Sequence, residues 1–308
     1  MICKVCFHII IFMLMKIDAV LNNKIGIVGL GVLGSAIAEC FVKKNIKIIG
    51  YDLSDKFYKK LNKSYFSSAS SLDELFSECE IVLTCLPSEQ SLLDVTENLK
   101  SEVLIIETST LPHECKKKAL DQLKVSNCKI VDAPLSGNRL AALEGNLSAY
   151  LSGDEPDKII AKKVLNNFCQ KVTDVGDFGN GIVMKLIGNI LNLVHNAVSA
   201  EVLTLGMKAG LKPEIIHKAI SGTFSSSGVF ENRGKLMVDQ DFEKEGMNFS
   251  TPMKDSKFIT ELSRENLVAL PIYQVALQYY YSAVANGLGK KDASSVIKII
   301  ERNANFSR

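Results

Sequence analysis

The chain has 308 residues, which predicts about two domains, and its 47% apolar and 23% charged residues are typical of an ordinary globular protein. A net charge of +2 and the lack of a basic run with interleaved aromatics argue against a nucleic-acid or anionic-membrane partner. Apart from a lone CxxC at Cys3 and Cys6, which has no second pair, the eight cysteines follow no metal-ligand spacing, and no GxSxG or HExxH motif is present. We therefore predict no metal site, and expect a reduced protein in the cytoplasm.

Residues 1–22 are set apart from the fold. The apolar run at residues 5–15 is too short to span a bilayer, and no small-residue cleavage site follows it. Three interpretations stay open: an extension upstream of a true start at Met13 or Met15, a loose N-terminal segment, or a weak signal peptide. The first two are favoured, because the remainder of the chain has the features of an intracellular enzyme.

Short β-branched runs alternate with helical stretches from Lys24 onward. The candidate strands are residues 24–28, 46–51, 81–86, 103–107, 129–132 and 147–152. Their apolar character on both faces is typical of strands buried between helix layers. The alternation predicts a Rossmann-type domain over residues 23–178, in which a doubly wound, mostly parallel sheet is flanked by helices.

The alternation stops at the turn-rich segment 176–181. Beyond it the pattern predicts helices only, over residues 182–208, 213–221, 252–264, 272–285 and 293–301. Pro213 and Pro252 fall at first-turn positions, where the missing N–H costs little. The fold class is therefore α/β, with an all-α domain over residues 179–308 after the Rossmann-type domain.

A glycine motif joins the first predicted strand to the first helix. In G-x-G-x-x-G loops the first glycine permits a tight turn, the second lets a pyrophosphate approach the backbone, and the third lets helix and strand pack closely. The helix N-terminus then offers N–H groups to the phosphates. The predicted cofactor-binding residues of this loop are Gly29, Leu30, Gly31, Val32, Leu33 and Gly34.

Asp52 ends the second predicted strand, 23 residues after Gly29. A carboxylate at this position can bind the ribose 2′-hydroxyl of a dinucleotide and repels a 2′-phosphate. Asp52 therefore favours NAD over NADP. Together with the glycine motif, it also makes a glycine turn without a ligand the weaker interpretation.

Several ordered motifs resemble those of the β-hydroxyacid dehydrogenases, which include 3-hydroxyisobutyrate, tartronate semialdehyde and 6-phosphogluconate enzymes. The motifs are GLGVLGSAIA (29–38), CLPS (85–88), ETSTLP (107–112), DAPLSGNRLAALEGNLSAYLSG (132–153), GNGIVMKLIGN (179–189), PMKDSKF (252–258) and GLGKKDASSVI (287–297). The resemblance covers about residues 24 to 302.

This resemblance implies a role for each matching residue. It places Leu86, Pro87, Thr110 and Lys254 at the nicotinamide half of the cofactor. It assigns Ser136, Gly137, Asn138 and Asn189 to the substrate, and Lys185 to acid/base catalysis. The chain departs from the family pattern at Asn138, where a second glycine is common, at Gly188, where an asparagine is common, and at Ser91. The first departure bears on substrate identity.

The residues around Lys185 point to the same chemistry by themselves. A lysine acts as a base only when its pKa falls toward neutrality, and an apolar setting lowers the pKa by desolvation. Lys185 stands among Val, Met, Leu and Ile, and Asn189 and Asn192 follow on the same helix face. A lysine that extends to solvent at the helix edge is the alternative interpretation.

We predict an NAD-dependent oxidoreductase of a small β-hydroxyacid, with the active site in a cleft between domains. A 3-hydroxyisobutyrate-like acid is the favoured substrate; tartronate semialdehyde reduction and L-threonate oxidation are the alternatives. A non-catalytic dinucleotide-binding protein and an imine reductase are the alternatives from other classes. Long apolar helices such as residues 272–285 further predict a homodimer or homotetramer.

Overall fold

The computed structural model describes residues 24–97, 99, 102–126, 128–243 and 247–308. The predicted extension at residues 1–22 lies outside the described residues. The chain forms two compact units, which divide between Lys185 and Leu186.

The first unit is built on a six-stranded sheet in the order β3-β2-β1-β4-β5-β6, with every neighbouring pair parallel. The strands are β1 (Ile25–Val28), β2 (Ile48–Tyr51), β3 (Phe66–Ser68), β4 (Ile81–Thr84), β5 (Leu104–Glu107) and β6 (Lys129–Asp132). Five of them were predicted. The sixth, β3, was not, since only Phe66 of its three residues is buried.

Successive residues of the central strands enter two separate cores, one on each face of the sheet. Ile81 and Leu83 pack in one apolar cluster, and Val82 packs in the other. The helices of this unit are α1 (Val32–Lys43), α2 (Leu72–Glu78), α3 (Glu89–Glu97), α4 (His113–Lys124), α5 (Arg139–Leu143) and α6 (Glu155–Leu165). The two-sided burial explains the continuous apolar runs and confirms the doubly wound parallel sheet.

A second sheet of three strands follows in the same unit: β7 (Leu135–Ser136), β8 (Leu147–Leu151) and β9 (Cys169–Asp174). The central strand pairs antiparallel with β7 and parallel with β9. The predicted strand at 147–152 therefore exists, but it lies in this small sheet and not in the main one. Its residues alternate between buried and half-buried, as expected when only one face packs on a core.

The second unit is helical. Its elements are α7 (Asn180–Lys208), which begins in the first unit, α8 (Pro213–Ile220), a π-helical turn (Phe230–Gly234), α9 (Lys235–Asp239), α10 (Ser250–Glu265), α11 (Pro271–Ala285), a 3₁₀ turn (Ala293–Val296) and α12 (Ile297–Asn303). Each predicted helix is present, with starts shifted by up to two residues, and 293–301 is split between a 3₁₀ turn and α12. In the described part of residues 180–308 no strand forms, although Asn248 and Asp292 make one isolated bridge.

Candidate active site

The glycine loop between β1 and α1 has the geometry that a dinucleotide requires. Gly29 has φ +92°, and a Cβ there would lie 2.3 Å from the Cys85 carbonyl oxygen. A Cβ on Gly34 would lie 1.9 Å from the Gly29 oxygen, so this glycine sets the close contact of helix and loop. Around Gly31, by contrast, no heavy atom of the described residues lies within 4 Å of an added Cβ. That open space is where a pyrophosphate can approach the backbone.

The N-terminus of α1 faces the same loop. Its first turn, Val32-Leu33-Gly34-Ser35, carries no acidic side chain, and among the described residues no side chain caps the helix at Gly31. Val32 is half exposed, whereas Leu30 is fully buried, backbone included, and its N–H is bonded to Asp52. The uncapped N–H groups and the positive end of the helix dipole suit a phosphate.

Asp52, directly after β2, is fixed against this loop. Its Oδ2 accepts a hydrogen bond from the Leu30 N–H at 2.6 Å, and its Oδ1 accepts one from the Ser54 N–H at 2.8 Å. Each carboxylate oxygen keeps a second lone pair for a ribose hydroxyl. The carboxylate therefore both shapes the glycine loop and lies beside it as a negative charge.

The predicted nicotinamide residues lie at the same edge of the sheet. The last residues of β1, β4 and β5, which are Val28, Thr84 and Glu107, pair in register, so the loops after them begin side by side. Leu86 follows β4 and Thr110 follows β5; the Leu86 N–H donates to the Ser109 hydroxyl at 2.7 Å. The strand order reverses between β1 and β4, and ligands of open α/β sheets bind at such a switch point. Pro87 lies exposed in the same loop.

The loop Ser136-Gly137-Asn138 joins β7 to α5. Ser136 is half-buried, whereas Gly137 and Asn138 are exposed. The Asn138 Oδ1 accepts from the Ala141 N–H at 3.0 Å, so this side chain caps α5. This helix cap is a structural reason for asparagine where a second glycine was expected.

Lys185 lies in the second turn of α7 and is only 9% exposed. Its neighbours Ile182 and Leu186 are buried at 0% and 2%. The Lys185 side chain is thus buried on an apolar helix, and the interpretation as a solvent-extended lysine does not describe it.

Asn189 and Lys254 are brought together in the second unit by Asp255. The Asn189 Nδ2 donates to Asp255 Oδ2 at 2.8 Å, and the Lys254 Nζ lies 3.7 Å from Asp255 Oδ1. Asp255 is 2% exposed, and the sequence analysis assigned it no role. Its position directly after Lys254, on the buried side of an amphipathic helix, was the available signal. The carboxylate orients the amide that the family resemblance assigns to the substrate.

Comparisons with known proteins agree with this geometry. Residues 24–176 match the NAD binding domain of 6-phosphogluconate dehydrogenase, and residues 179–300 match the NAD-binding domain of NADP-dependent 3-hydroxyisobutyrate dehydrogenase. L-threonate dehydrogenase of Cupriavidus necator is 26% identical over 91% of this chain and 96% of its own. 2-(Hydroxymethyl)glutarate dehydrogenase of Eubacterium barkeri is 27% identical over 92% of this chain and 97% of its own.

A comparison with a solved structure also points to hydroxyacid dehydrogenases. The crystal structure of 3-hydroxyisobutyrate dehydrogenase from Salmonella typhimurium matches with a TM-score of 0.79 at 26% identity, over 90% of this chain and 100% of that one. The fold and the glycine loop define an NAD(P)-dependent oxidoreductase. More closely, the chain belongs to the β-hydroxyacid dehydrogenase family and acts on the CH–OH group of a hydroxyacid, which confirms the resemblance seen in its motifs.

Proposed function

We propose that this enzyme oxidises a small β-hydroxyacid of the 3-hydroxyisobutyrate type with NAD, and that Lys185 is the acid/base group. The observation that carries the proposal is the burial of Lys185 in the second turn of α7. An amine held among apolar side chains is in the setting in which a lysine can serve as an acid/base group. Removal of a hydroxyl proton is the task that this reaction leaves to the protein.

The role of Lys185 as acid/base group follows from the proton that the reaction releases. A nicotinamide cofactor, held by the glycine loop, would supply the acceptor for the hydride of the carbinol carbon. The hydroxyl proton must leave at the same time, and the neutral amine of Lys185 takes it in the oxidation direction and returns it in reduction. Asn189, held by Asp255 at 2.8 Å, orients the hydroxyl or carboxylate oxygens. The Ser136 hydroxyl and the Gly137 N–H hold the acid group.

The substrate class follows from the acid group and from the relatives. L-Threonate and 2-(hydroxymethyl)glutarate dehydrogenases both act, by name, on hydroxyacids. Asn138, whose oxygen is used to cap α5, offers an amide N–H that a glycine would not. This donor favours an acid with an additional oxygen. L-Threonate therefore stays the main alternative to 3-hydroxyisobutyrate, followed by tartronate semialdehyde reduction.

Asp52 supports NAD as the preferred cofactor. Its two oxygens accept from the Leu30 and Ser54 amides, which fixes the carboxylate beside the glycine loop. A 2′-phosphate near a fixed carboxylate is repelled, and at 4 Å two unit charges interact by about 4 kcal/mol at an effective dielectric constant of about 20. This repulsion outweighs the ~1.5–3 kcal/mol of one hydrogen bond to a charged group.

We further propose that the chain self-associates as a homodimer or homotetramer. On α7 an apolar row stays exposed at Ile187, Leu191, Val198, Val202 and Leu205, with exposed fractions between 38% and 71%. The spacing of three, four and seven residues places the row on one helix face. A monomer rarely leaves so continuous an apolar strip in water, and a second copy of this chain is the partner that would cover it.

A panel of three- to five-carbon hydroxyacids, assayed with NAD and with NADP on the full-length enzyme, tests the proposed function. We expect reduction of NAD at 340 nm with at least one β-hydroxyacid, and no turnover with a secondary α-hydroxyacid that lacks a β-hydroxyl. Absence of turnover with every β-hydroxyacid would contradict the proposal. A higher kcat/KM with NADP would contradict the assignment of Asp52 alone.

A further inference from the structure

A fully buried ionic cluster lies at the carboxyl edge of the main sheet. Its members are Lys116 of α4, Glu107 at the end of β5 and Asp132 at the end of β6, and all three are 0% exposed. The Lys116 Nζ lies 2.5 Å from Asp132 Oδ1, 2.8 Å from the Ser109 carbonyl oxygen and 3.7 Å from Glu107 Oε1.

The burial of this ionic cluster is energetically unfavourable compared with an apolar core. Burying an ion pair costs several kcal/mol per ion, and a well-packed apolar replacement is often as stable. Here two carboxylates surround a single ammonium group, so one negative charge needs compensation from elsewhere. This composition suggests that the cluster has a task other than stability.

Asp132 directs its second oxygen to the start of the helix that carries Lys185. Asp132 Oδ2 accepts from the Ile182 N–H at 2.7 Å. The partial positive charge of a helix N-terminus then compensates the extra carboxylate. Ser152, also 0% exposed, completes this contact, since its hydroxyl accepts from the Gly181 N–H at 3.0 Å.

Gly181 shows how closely the helix is held. A Cβ at this position would lie 2.5 Å from the Tyr150 oxygen and 2.7 Å from Asp132 Oδ2. No side chain fits between the first turn of α7 and the two strand ends. The helix start therefore rests directly on Asp132 and Ser152.

The same cluster also holds the loops of the nicotinamide site. Glu107 pairs with the Thr84 hydroxyl, and its Oε1 accepts from the Ser109 N–H at 2.8 Å. The Ser109 hydroxyl in turn accepts from the Leu86 N–H at 2.7 Å. One chain of buried polar contacts thus runs from the Leu86 loop through Glu107, Lys116 and Asp132 to α7.

We propose that Asp132 and Ser152 are positioning residues that fix the first turn of α7, and with it Lys185, in register with the nicotinamide loops. The inference rests on the proposed function of Lys185. Lys185 follows Ile182 by three residues, or about 4.5 Å of helix rise. A shift of the helix start therefore also moves the Lys185 amine. A displacement of about 1 Å can lower a rate by about 10²-fold.

The variant Ser152→Ala removes one contact of the helix start and touches no proposed ligand group. Ser199→Ala is the matched control, because Ser199 is also buried, on the same helix, and donates to the His195 oxygen. We expect kcat of Ser152→Ala to fall by about 10- to 100-fold, with KM and the NADH dissociation constant within about twofold. Hydrogen exchange of the amides at 181–185 should rise in Ser152→Ala and stay unchanged in Ser199→Ala.

A double-mutant cycle with Asp132→Asn decides whether the two residues act through one helix turn. If the two residues act through the same helix turn, adding Ser152→Ala to Asp132→Asn lowers kcat little further. Three outcomes would each overturn the inference. The losses of kcat in the two single variants could multiply in the double variant, or Ser152→Ala could have the same kcat as Ser199→Ala. The third is hydrogen exchange at 181–185 that Ser152→Ala leaves unchanged. A wild type without hydroxyacid turnover would instead contradict the proposed function, and the exchange measurement would still test the positioning.

Discussion

Alanine substitutions at Gly31 and Gly34 separate cofactor binding from folding within one loop. An added Cβ at Gly31 projects into open space, because no heavy atom of the described chain lies within 4 Å of it. At Gly34 the same Cβ would lie 1.9 Å from the Gly29 oxygen, well inside any van der Waals contact. The two substitutions are chemically identical, but Gly31→Ala should weaken cofactor binding and Gly34→Ala should lower stability.

For Gly31→Ala, the methyl group occupies the approach of the pyrophosphate. We expect the dissociation constant for NADH to rise at least about 100-fold, which is about 2.8 kcal/mol, with the melting temperature unchanged within about 2 °C. For Gly34→Ala, the backbone must move to relieve the overlap. Overpacking of this kind costs about 1–3 kcal/mol, more than the ~1 kcal/mol gained in helix propensity. A melting temperature lower by several degrees should follow.

Fluorescence titration with NADH and differential scanning calorimetry measure the two effects on the same samples. Wild-type NADH affinity in Gly31→Ala would refute the assignment of this loop to the pyrophosphate. Normal stability in Gly34→Ala would refute the close packing between helix and loop.

Three other outcomes are expected. Asp52→Ala should lower kcat/KM with NAD by about 10- to 100-fold and bring the NAD-to-NADP ratio close to one, whereas an unchanged ratio would contradict its role. Burial raises the pKa of the Cys115 thiol to about 11 and that of Cys79 to about 12, so at pH 8 iodoacetamide should label the partly exposed Cys85 before the other cysteines of the described residues. NADH should slow that labelling; peptide mass spectrometry measures both effects, and labelling of Cys115 before Cys85 would contradict the burial. Leu205→Glu should shift light-scattering mass from oligomer to monomer, and a monomeric wild type would contradict self-association through α7.

The main sheet could be predicted because its strands are apolar on both faces. Ile81, Val82 and Leu83 all lie in cores, so the local pattern alone identifies β4 as a central strand. The edge strand β3 carries no such signal, since Ser67 and Ser68 are exposed. Membership of a sheet is not local either: 147–152 looks like the other strands, yet it pairs with β7 and β9.

The local geometry of the candidate site could be predicted where one residue type has one geometric use. The tight turn at the three glycines and the burial of Lys185 belong to this class, whereas the roles of these residues stay predictions. Asn138 does not, because its role as a helix cap depends on Ala141 and on a short helix that the pattern does not reveal. Asp132 was visible only as part of a motif, since its partners lie 16 and 50 residues away.

Lys116 shows a signal that went unused. It is the first of three consecutive lysines in α4, a run that looks like a solvated surface. The buried residues of that helix are Cys115, Lys116, Ala119 and Leu123, so the helical period already placed Lys116 on the apolar face. A lysine on that face needs a buried carboxylate, and Asp132 supplies it.

The turnover number of Lys185→Ala tests the central claim most directly. With a β-hydroxyacid that the wild type oxidises, kcat should fall by about 10²- to 10⁴-fold, the usual contribution of a general acid/base. The NADH dissociation constant and the melting temperature should stay near their wild-type values. A Lys185→Ala enzyme that turns over at the wild-type rate would contradict the mechanism.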